Sequence, residues 1–439
     1  MTGERRVAVV GGGMAGAAAA RGLAADGVDV TLYEGGDRLG GRIDSVALPG
    51  GHVLEMGAVF LMNSYRDVNR AAGVLWPDRP VHTKRPITYI REGTRVTVPG
   101  ELPAALMRLP WLSLRDRMRL VAEMARLRGQ SKGSYDVHGL AELDHGTMGD
   151  WAADRLSPRI HHGLLRPVFE PFLFASCDRT SQALAVGHLN GPPVIRYSVV
   201  PRGLSRICSE IVADVAVRLD SRVEALRFDS KVTVRLADFS EEEFDAVVLA
   251  AGVDSSRGLI ASLPEDVVPA QTRVVLDRTE TVGLVHVAFL TGDLPATATG
   301  IFVPAEDGPI DIRLVASNRR MWPNREWPDG VDVVSVYFDA ALFDELCGLS
   351  DDVIAARAWT GARELSPDLP PVAQLLAVRR WRSAAAVCAP GHLGRVAAEL
   401  SGPDARLTVA GDYLSTGGLE GAYRAGTLAA RKVLRFLDS

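Results

Sequence analysis

Apolar positions along the chain fall into short runs that end in small residues, and the spacing between runs changes from strand-like to helix-like and back. Residues 6–10 form one such run, which stops at Gly11-Gly12-Gly13-Met14-Ala15-Gly16. Residues 17–25 then have helical composition, and 28–33 read as a second strand. Farther on, 219–228 and 232–236 predict a hairpin, and 245–252 a buried strand ending in small residues. A last apolar strand, 407–409, leads into Ala410-Gly411-Asp412, a glycine-containing loop and a helix over about 420–437.

Strand, glycine turn, helix and strand in succession predict a parallel α/β sheet of Rossmann type. Its pieces are separated, so the expected domain is discontinuous, over 1–75, 200–255 and 395–439. The intervening stretches, 76–199 and 256–394, are too long for loops and predict a second domain of α+β type.

At 439 residues, with 47% hydrophobic and 23% charged positions, the chain can bury a large core. The net charge of −5 comes from 49 basic and 54 acidic residues that are interspersed, so no field of one sign is set up for nucleic acid. Lysine occurs only at 84, 132, 231 and 432, and arginine carries the remaining positive charge. Cys177, Cys208, Cys347 and Cys388 are scattered with no histidines at metal spacing, which predicts neither a disulfide framework nor a metal site and suits a cytoplasmic location. Arg5-Arg6 before an alanine-rich stretch imitates an export signal, but cleavage there would remove the first strand and its glycine turn. No run of about 18 apolar residues is available to span a membrane.

The glycine turn carries chemistry. Gly11 permits a tight turn, Gly13 lets backbone approach a pyrophosphate, and Gly16 lets helix and strand pack closely, while the helix N-terminus supplies partial positive charge. Glu34 stands about 20 residues on, at the end of the second strand, where a carboxylate accepts hydrogen bonds from both ribose hydroxyls of an adenine nucleotide. On these residues NAD and FAD fit equally. Asp412, directly after Ala-Gly at a strand end, occupies the kind of place where such sheets bind ligands. Residues 106–127 predict a basic amphipathic helix, interrupted early by Pro110 and carrying Arg108, Arg115, Arg117, Arg119 and Arg126. It either packs on the second domain with its arginines in water, the favoured reading, or lies on a membrane surface.

Arg38-Leu39-Gly40-Gly41-Arg42, then Glu55-Met56-Gly57-Ala58, have no use in a plain NAD domain. With Ala410-Gly411-Asp412 and Leu419-Glu420-Gly421-Ala422-Tyr423-Arg424-Ala425-Gly426, the chain resembles the flavin-containing amine oxidase and protoporphyrinogen oxidase superfamily along its whole length. That resemblance implies a glutathione-reductase-like domain holding FAD non-covalently, with the isoalloxazine ring between the two domains. It implies that Gly11, Gly13, Met14, Ala15 and Gly16 cradle the pyrophosphate, that Glu34 holds the ribose and that Arg42 sets a cation near the phosphates. Gly57 and Ala58 would pass under the flavin, and Val223 would pair with adenine through its backbone. Gly411 and Asp412 would reach the pyrophosphate and ribityl chain, and the segment from Leu419 to Ala422 would aim amides at the flavin O2 side.

The substrate is less legible. Amine oxidases of the superfamily usually carry a lysine near flavin N5 and an aromatic cage; the matching segment here, Gly283-Leu284-Val285-His286-Val287-Ala288-Phe289, has His286 and no lysine. His286 either holds a water or moves a proton, or is a satisfied strand histidine. Gly417-Gly418 falls where a cage tyrosine would stand. Arg380-Trp381 and Cys388-Ala389-Pro390-Gly391-His392 resemble a stretch of the protoporphyrinogen oxidase branch, which makes Trp381 either a pocket wall or a core residue. Cys388 is misplaced for a covalent flavin link. Phe169, Phe172, Phe174 and Tyr197 are candidate pocket residues whose alternative is core packing.

The resemblance implies hydride transfer, or its equivalent, from a small organic substrate to flavin N5, with O2 as acceptor. A specialised-metabolite amine or heterocycle is favoured, ahead of a porphyrinogen-like macrocycle or isoprenoid desaturation. A flavin-dependent isomerase and a non-catalytic flavin binder remain alternatives. Peripheral membrane contact and a monomer or homodimer are both compatible with the sequence.

Overall fold

The computed structural model describes residues 5–48, 52–75, 81–82, 87–98, 108–191, 196–200, 203–294, 301–305, 310–322 and 330–439. From the amino end, β1 (Arg6–Val10), α1 (Met14–Ala25) and β2 (Asp29–Tyr33) form a βαβ unit, followed by α2 (Arg66–Leu75). A hairpin of β3 (Ile87–Arg91) and β4 (Thr94–Val98) comes next, then α3 (Leu114–Leu127) among several short helices. β5 (Ala216–Arg218) precedes a meander of β6 (Val223–Phe228), β7 (Val232–Leu236) and β8 (Glu241–Phe244). β9 (Ala246–Leu249) leads into α4 (Val253–Ile260) and α5 (Ala270–Arg278). The chain then forms β10 (Thr281–Gly292), β11 (Ile301–Pro304), β12 (Ile312–Ser317), β13 (Val331–Phe338), α6 (Asp351–Leu365) and β14 (Gln374–Ala386). It ends with α7 (His392–Leu400), β15 (Leu407–Val409) and α8 (Gly418–Asp438).

Two sheets organise these elements. The first is wholly parallel, in the order β5-β2-β1-β9-β15. Its strands β1, β9 and β15 are buried on both faces, which is why they read as unbroken apolar runs rather than alternating ones. On one face, Val7 and Val9 meet Ala17, Ala19 and Ala20 of α1, with Ala429, Ala430 and Val433 of α8 behind them. Small residues set that spacing: a Cβ at Gly16 would run into the carbonyl of Gly11, and one at Gly426 into the carbonyl of Ala15. On the other face, Val10, Val247 and Leu249 pack on Leu226 and Val234 of the meander, together with Ile260, Leu276 and Val396. Helices α4 and α5, although they fall largely in the stretch 256–394, are therefore built into this core.

The second sheet runs β14-β10-β13-β12-β11-β3-β4 and is antiparallel except between β11 and β3. Val285, Val287, Val334 and Val336 pack on Ile354, Ala358 and Trp359 of α6. Its far end, with Tyr89, Val303 and Leu314, shares a core with Leu120 and Leu127 of α3, Trp151 and Phe169.

Several boundaries differ from the sequence reading. The predicted helix over 106–127 is interrupted at Pro110 as expected: Arg108 is helical, residues 109–113 are not, and α3 starts at Leu114, where Ser113 and Asp116 form a reciprocal capping box; residues 106 and 107 lie outside the described residues. The predicted strand 219–228 begins at Val223, since Ser221 N–H is taken by the Glu34 carbonyl at 2.8 Å and Asp220 adopts φ +50°. The predicted strand 245–252 ends at Leu249 because the backbone turns at Gly252 to start α4.

Candidate functional site

At the carboxyl edge of the parallel sheet, β1, β2 and β15 all release the chain toward one place. Gly11 leaves β1 with φ +108°, and a Cβ there would strike Ala250 O, so the turn tolerates only glycine. Helix α1 then starts at Met14 with Gly13 as its cap, no side chain bonded to its first amides and no acid in its first turn. Above Gly13 the space is open: a Cβ there would find nothing closer than Gly40 O at 3.9 Å. The Gly40-Gly41 turn runs alongside, joined through Gly40 N–H to Gly12 O at 2.9 Å. Free helix amides over an empty glycine surface are the chemistry a pyrophosphate requires.

Glu34 faces this turn from the end of β2. Its two oxygens accept from Gly12 N–H (2.7 Å) and Gly36 N–H (2.9 Å), which fixes the carboxylate and leaves lone pairs for further donors. Val223 starts β6 two residues after Ser221, whose amide is bonded to Glu34, so both lie at one end of the glycine turn. At the other end, Arg42 pairs with Asp412 through two hydrogen bonds, at 2.6 and 3.0 Å, and donates a third to Ala384 O of β14 at 3.0 Å. One guanidinium therefore ties the Gly40-Gly41 turn to the end of β15 and to the second sheet.

Helix α8 begins at Gly418 behind Gly417, which has φ +92°; its first turn also lacks a side-chain cap. Leu419 and Ala422 are buried in this turn. Glu420, fully buried, points away from the site to accept from Asp67 and Val68 amides at the start of α2 and from Arg424 Nε at 2.9 Å. Beside Gly418 stand the hydroxyls of Tyr65 and Tyr135, whose rings meet edge to face with centroids 6.1 Å apart. Sequence reasoning did not single out these tyrosines; the one signal was the pair of glycines that makes room for them.

The second sheet meets this edge at Met56-Gly57-Ala58. The Met56 side chain packs against Ala288 of β10 and Val333 of β13. Its carbonyl accepts from His286 Nδ1 at 3.2 Å and from Trp381 Nε1 at 2.9 Å. Two rings from adjacent strands thus hold the segment that contains Gly57, and the Met56 carbonyl was not foreseen as their common anchor. His286 is fully buried and stacked on Tyr337, centroids 4.1 Å apart at 14°. A carbonyl can only accept, so the ring proton sits on Nδ1 and Nε2 is left as a buried acceptor with no partner among the described residues. Burial holds the imidazole neutral by pushing its pKa down to about 4.

The four candidate aromatics separate. Tyr197 meets Phe60 edge to face at 4.7 Å, three residues beyond Gly57. Phe169 packs against His188, Phe172 is exposed, and Phe174 ends its helix in a left-handed conformation. All four cysteines are free; burial raises the thiol pKa of Cys388, and that of Cys208 to about 12, so neither is a thiolate. Among the described residues no cluster of metal ligands and no helix long and apolar enough to cross a membrane occurs.

The chain is similar to known proteins. Coproporphyrinogen III oxidase of Mycobacterium bovis is 24% identical, over 99% of this chain and 98% of its own length. Cyclohexylamine oxidase from Brevibacterium oxydans IH-35A superposes with a TM-score of 0.74 at 18% identity, covering 99% of this chain and 100% of its own. A triple mutant of putrescine oxidase, made in a structure-based redesign of cofactor binding, gives 0.76 at 18% identity, covering 98% and 99%. The family described as flavin containing amine oxidoreductase matches residues 14–434, so this chain belongs to the flavin-containing amine oxidoreductases and is a flavin-dependent oxidoreductase.

Proposed function

We propose that the chain binds FAD non-covalently and oxidises a C–N or C–C single bond of a small organic substrate, a neutral nitrogen heterocycle or specialised-metabolite amine being favoured, with O2 as acceptor. The observation that carries this reading is the meeting of two uncapped helix starts, at Met14 and Gly418, with Glu34 and the Arg42–Asp412 pair on one sheet edge. That set supplies amides for phosphate and flavin oxygens and a carboxylate for ribose. The bound flavin supplies the two-electron acceptor.

The chain's own residues do the rest. Gly11, Gly13, Met14, Ala15 and Gly16 offer backbone to the pyrophosphate, Val223 offers backbone to adenine, and Gly57, Ala58, Gly411, Leu419 and Ala422 surround the ring and ribityl chain. When phosphate enters, Arg42 shares its donors between Asp412 and the anion. His286 Nε2 accepts a hydrogen bond from a water or a substrate N–H, and, being neutral, repels a cationic substrate less than a charged ring would. Trp381 orients the Met56-Gly57 peptide. Among the described residues, the deeply buried carboxylate Glu170 is already saturated by Arg166, Arg313 at 2.7 Å and Cys177 N–H, so it does not answer a protonated amine. That favours a neutral C–H beside nitrogen over a simple ammonium substrate.

A second reading, oxidation of a porphyrinogen-like macrocycle, is favoured by the full-length similarity to coproporphyrinogen III oxidase. The test is the visible spectrum of the purified protein under anaerobic conditions as neutral heterocycles, amines and coproporphyrinogen are added singly, followed by air. Bleaching by a heterocycle with recovery in air supports the first reading. Bleaching by coproporphyrinogen alone supports the second, and turnover without consumption of any acceptor replaces both with isomerisation. A protein that binds no FAD would overturn them all.

A further inference from the structure

Helix α3 presents an apolar outer face to solvent. Leu114, Met118 and Val121 are 72%, 65% and 59% exposed, and their spacing of four and three places them in one stripe. Ala122 and Ala125 extend that face, and Arg115, Arg119 and Arg126 flank it. Both acids of the helix are turned inward: Asp116 accepts from Ser113 and Ser157 hydroxyls at 2.6 and 2.7 Å, and Glu123 from Arg126 and from Trp151 Nε1 at 2.9 Å. Asp154, an exposed carboxylate of the neighbouring short helix, is paired with Arg155 at 2.8 Å. Among the described residues Arg108, Arg115 and Arg119 enter no salt bridge. The capping box at Ser113 and the burial of Leu120 and Leu127 hold the helix in place whether or not its outer face is covered.

We propose that this face docks on an anionic lipid surface, with Leu114, Met118 and Val121 entering the acyl boundary and the flanking arginines meeting headgroup phosphates. An apolar stripe bordered by Arg115 and Arg119, which have no carboxylate partner among the described residues, is the pattern that a negatively charged interface stabilises, these guanidinium groups gaining phosphates as the apolar side chains leave water. A second copy of the chain answers the pattern poorly. A two-fold contact places the same patch against itself, so the arginines of the two copies would meet with no outward acid on the helix between them. The sequence alone favoured a helix packed on its domain; the structure satisfies that reading on the inner face and leaves the outer face unpartnered.

The test is co-sedimentation of the flavin-loaded protein with phosphatidylcholine vesicles containing or lacking phosphatidylglycerol, at low and high salt. Binding is expected only with phosphatidylglycerol and weakens as salt rises. The exposed triple change Leu114→Gln, Met118→Gln and Val121→Thr lowers it at least tenfold while the flavin spectrum stays unchanged. Arg115→Glu with Arg119→Glu does the same through charge. Failure of the parent protein to sediment with anionic vesicles overturns the proposal, as does undiminished binding of both variants. A concentration-dependent dimer that the triple change abolishes would assign the face to a second copy and overturn it too.

Discussion

The carboxyl edge of the parallel sheet and the mixed sheet opposite it are built by different means. At the first, the amides that open α1 and α8 are left without side-chain caps, and what the sequence must supply is absence: no Cβ at Gly11 or Gly16, no cap on α1 or α8. At the second, rings do the positioning, with His286 and Trp381 converging on one carbonyl and Tyr337 stacked behind. A bulge near Gly283, where a Cβ would enter the Phe343 ring, adjusts the register between β10 and β14. A site made of backbone has few permitted sequences and so leaves a strict mark on the chain. A site made of side chains can be met by many combinations, which is how one fold serves different substrates.

The sharpest way to break this contrast is Gly16→Val. A branched side chain aimed at Gly11 O forces α1 off the sheet, and we expect a loss of about 3 kcal/mol or more in urea unfolding together with almost complete loss of bound flavin. Normal flavin content in that variant would mean the edge does not depend on missing side chains.

Next in size is a pH effect with one contributor in each region. His286 in the mixed sheet and His392, whose Nε2 donates to Tyr413 O at 2.9 Å near the nucleotide edge, are both buried, and burial pushes each pKa from 6.5 down to about 4. The unfolded chain takes up protons below pH 6.5 that the folded chain refuses until about pH 4. Stability from these groups is therefore full above pH 6.5 and is lost as pH falls through that window, by about 3 kcal/mol for each histidine. Urea midpoints at pH 7 and pH 5 read the loss. A His392→Gln variant with an unchanged pH slope would remove that residue from the account.

Trp381→Phe keeps an aromatic side chain, smaller than the indole, and deletes the Nε1–H···O bond to Met56, leaving His286 as the carbonyl's one remaining ring donor. It is expected to cost about 1 kcal/mol and to lower kcat more than flavin content, which separates orientation of the Met56-Gly57 peptide from cofactor retention. The smallest effect is expected at Val223. If its contact with adenine is through backbone, Val223→Ala changes flavin affinity by no more than about twofold in a titration of apoprotein; a tenfold loss would make that position a side-chain site after all.

The same contrast explains what the sequence made legible. The strands at 6–10 and 407–409 were readable because burial on both faces leaves an apolar run, 232–236 because of its β-branched residues, and Glu34 because a fixed spacing from the glycines places it. The break at Pro110 was legible, but the residue at which α3 resumes was not, since Ser113 and Asp116, two ordinary polar residues, decide it through reciprocal hydrogen bonds. Tyr65, Tyr135 and Tyr337 carried no local signal at all; they reach the site from elements far apart in the chain, and only the pairing of β10 with β13 brings His286 to Tyr337. The Arg42–Asp412 pair joins residues quoted separately, because a long-range ion pair has no period to detect.

Residue order adds a constraint in time. β1 and β2 emerge first, yet the strand that completes their sheet is β15, and the helix that closes over α1 is α8, with Arg5 bonded to Asp438 at 2.6 Å. At about 5–20 residues per second, translation of such a chain takes roughly 20–90 s. For nearly all of that interval the sheet lacks its last strand and α1 lacks the helix that closes over it, so a ribosome carries an apolar half-sheet awaiting its final partners. Holding that half-sheet apart from other nascent chains is then as much a requirement of making this protein as any residue in its site.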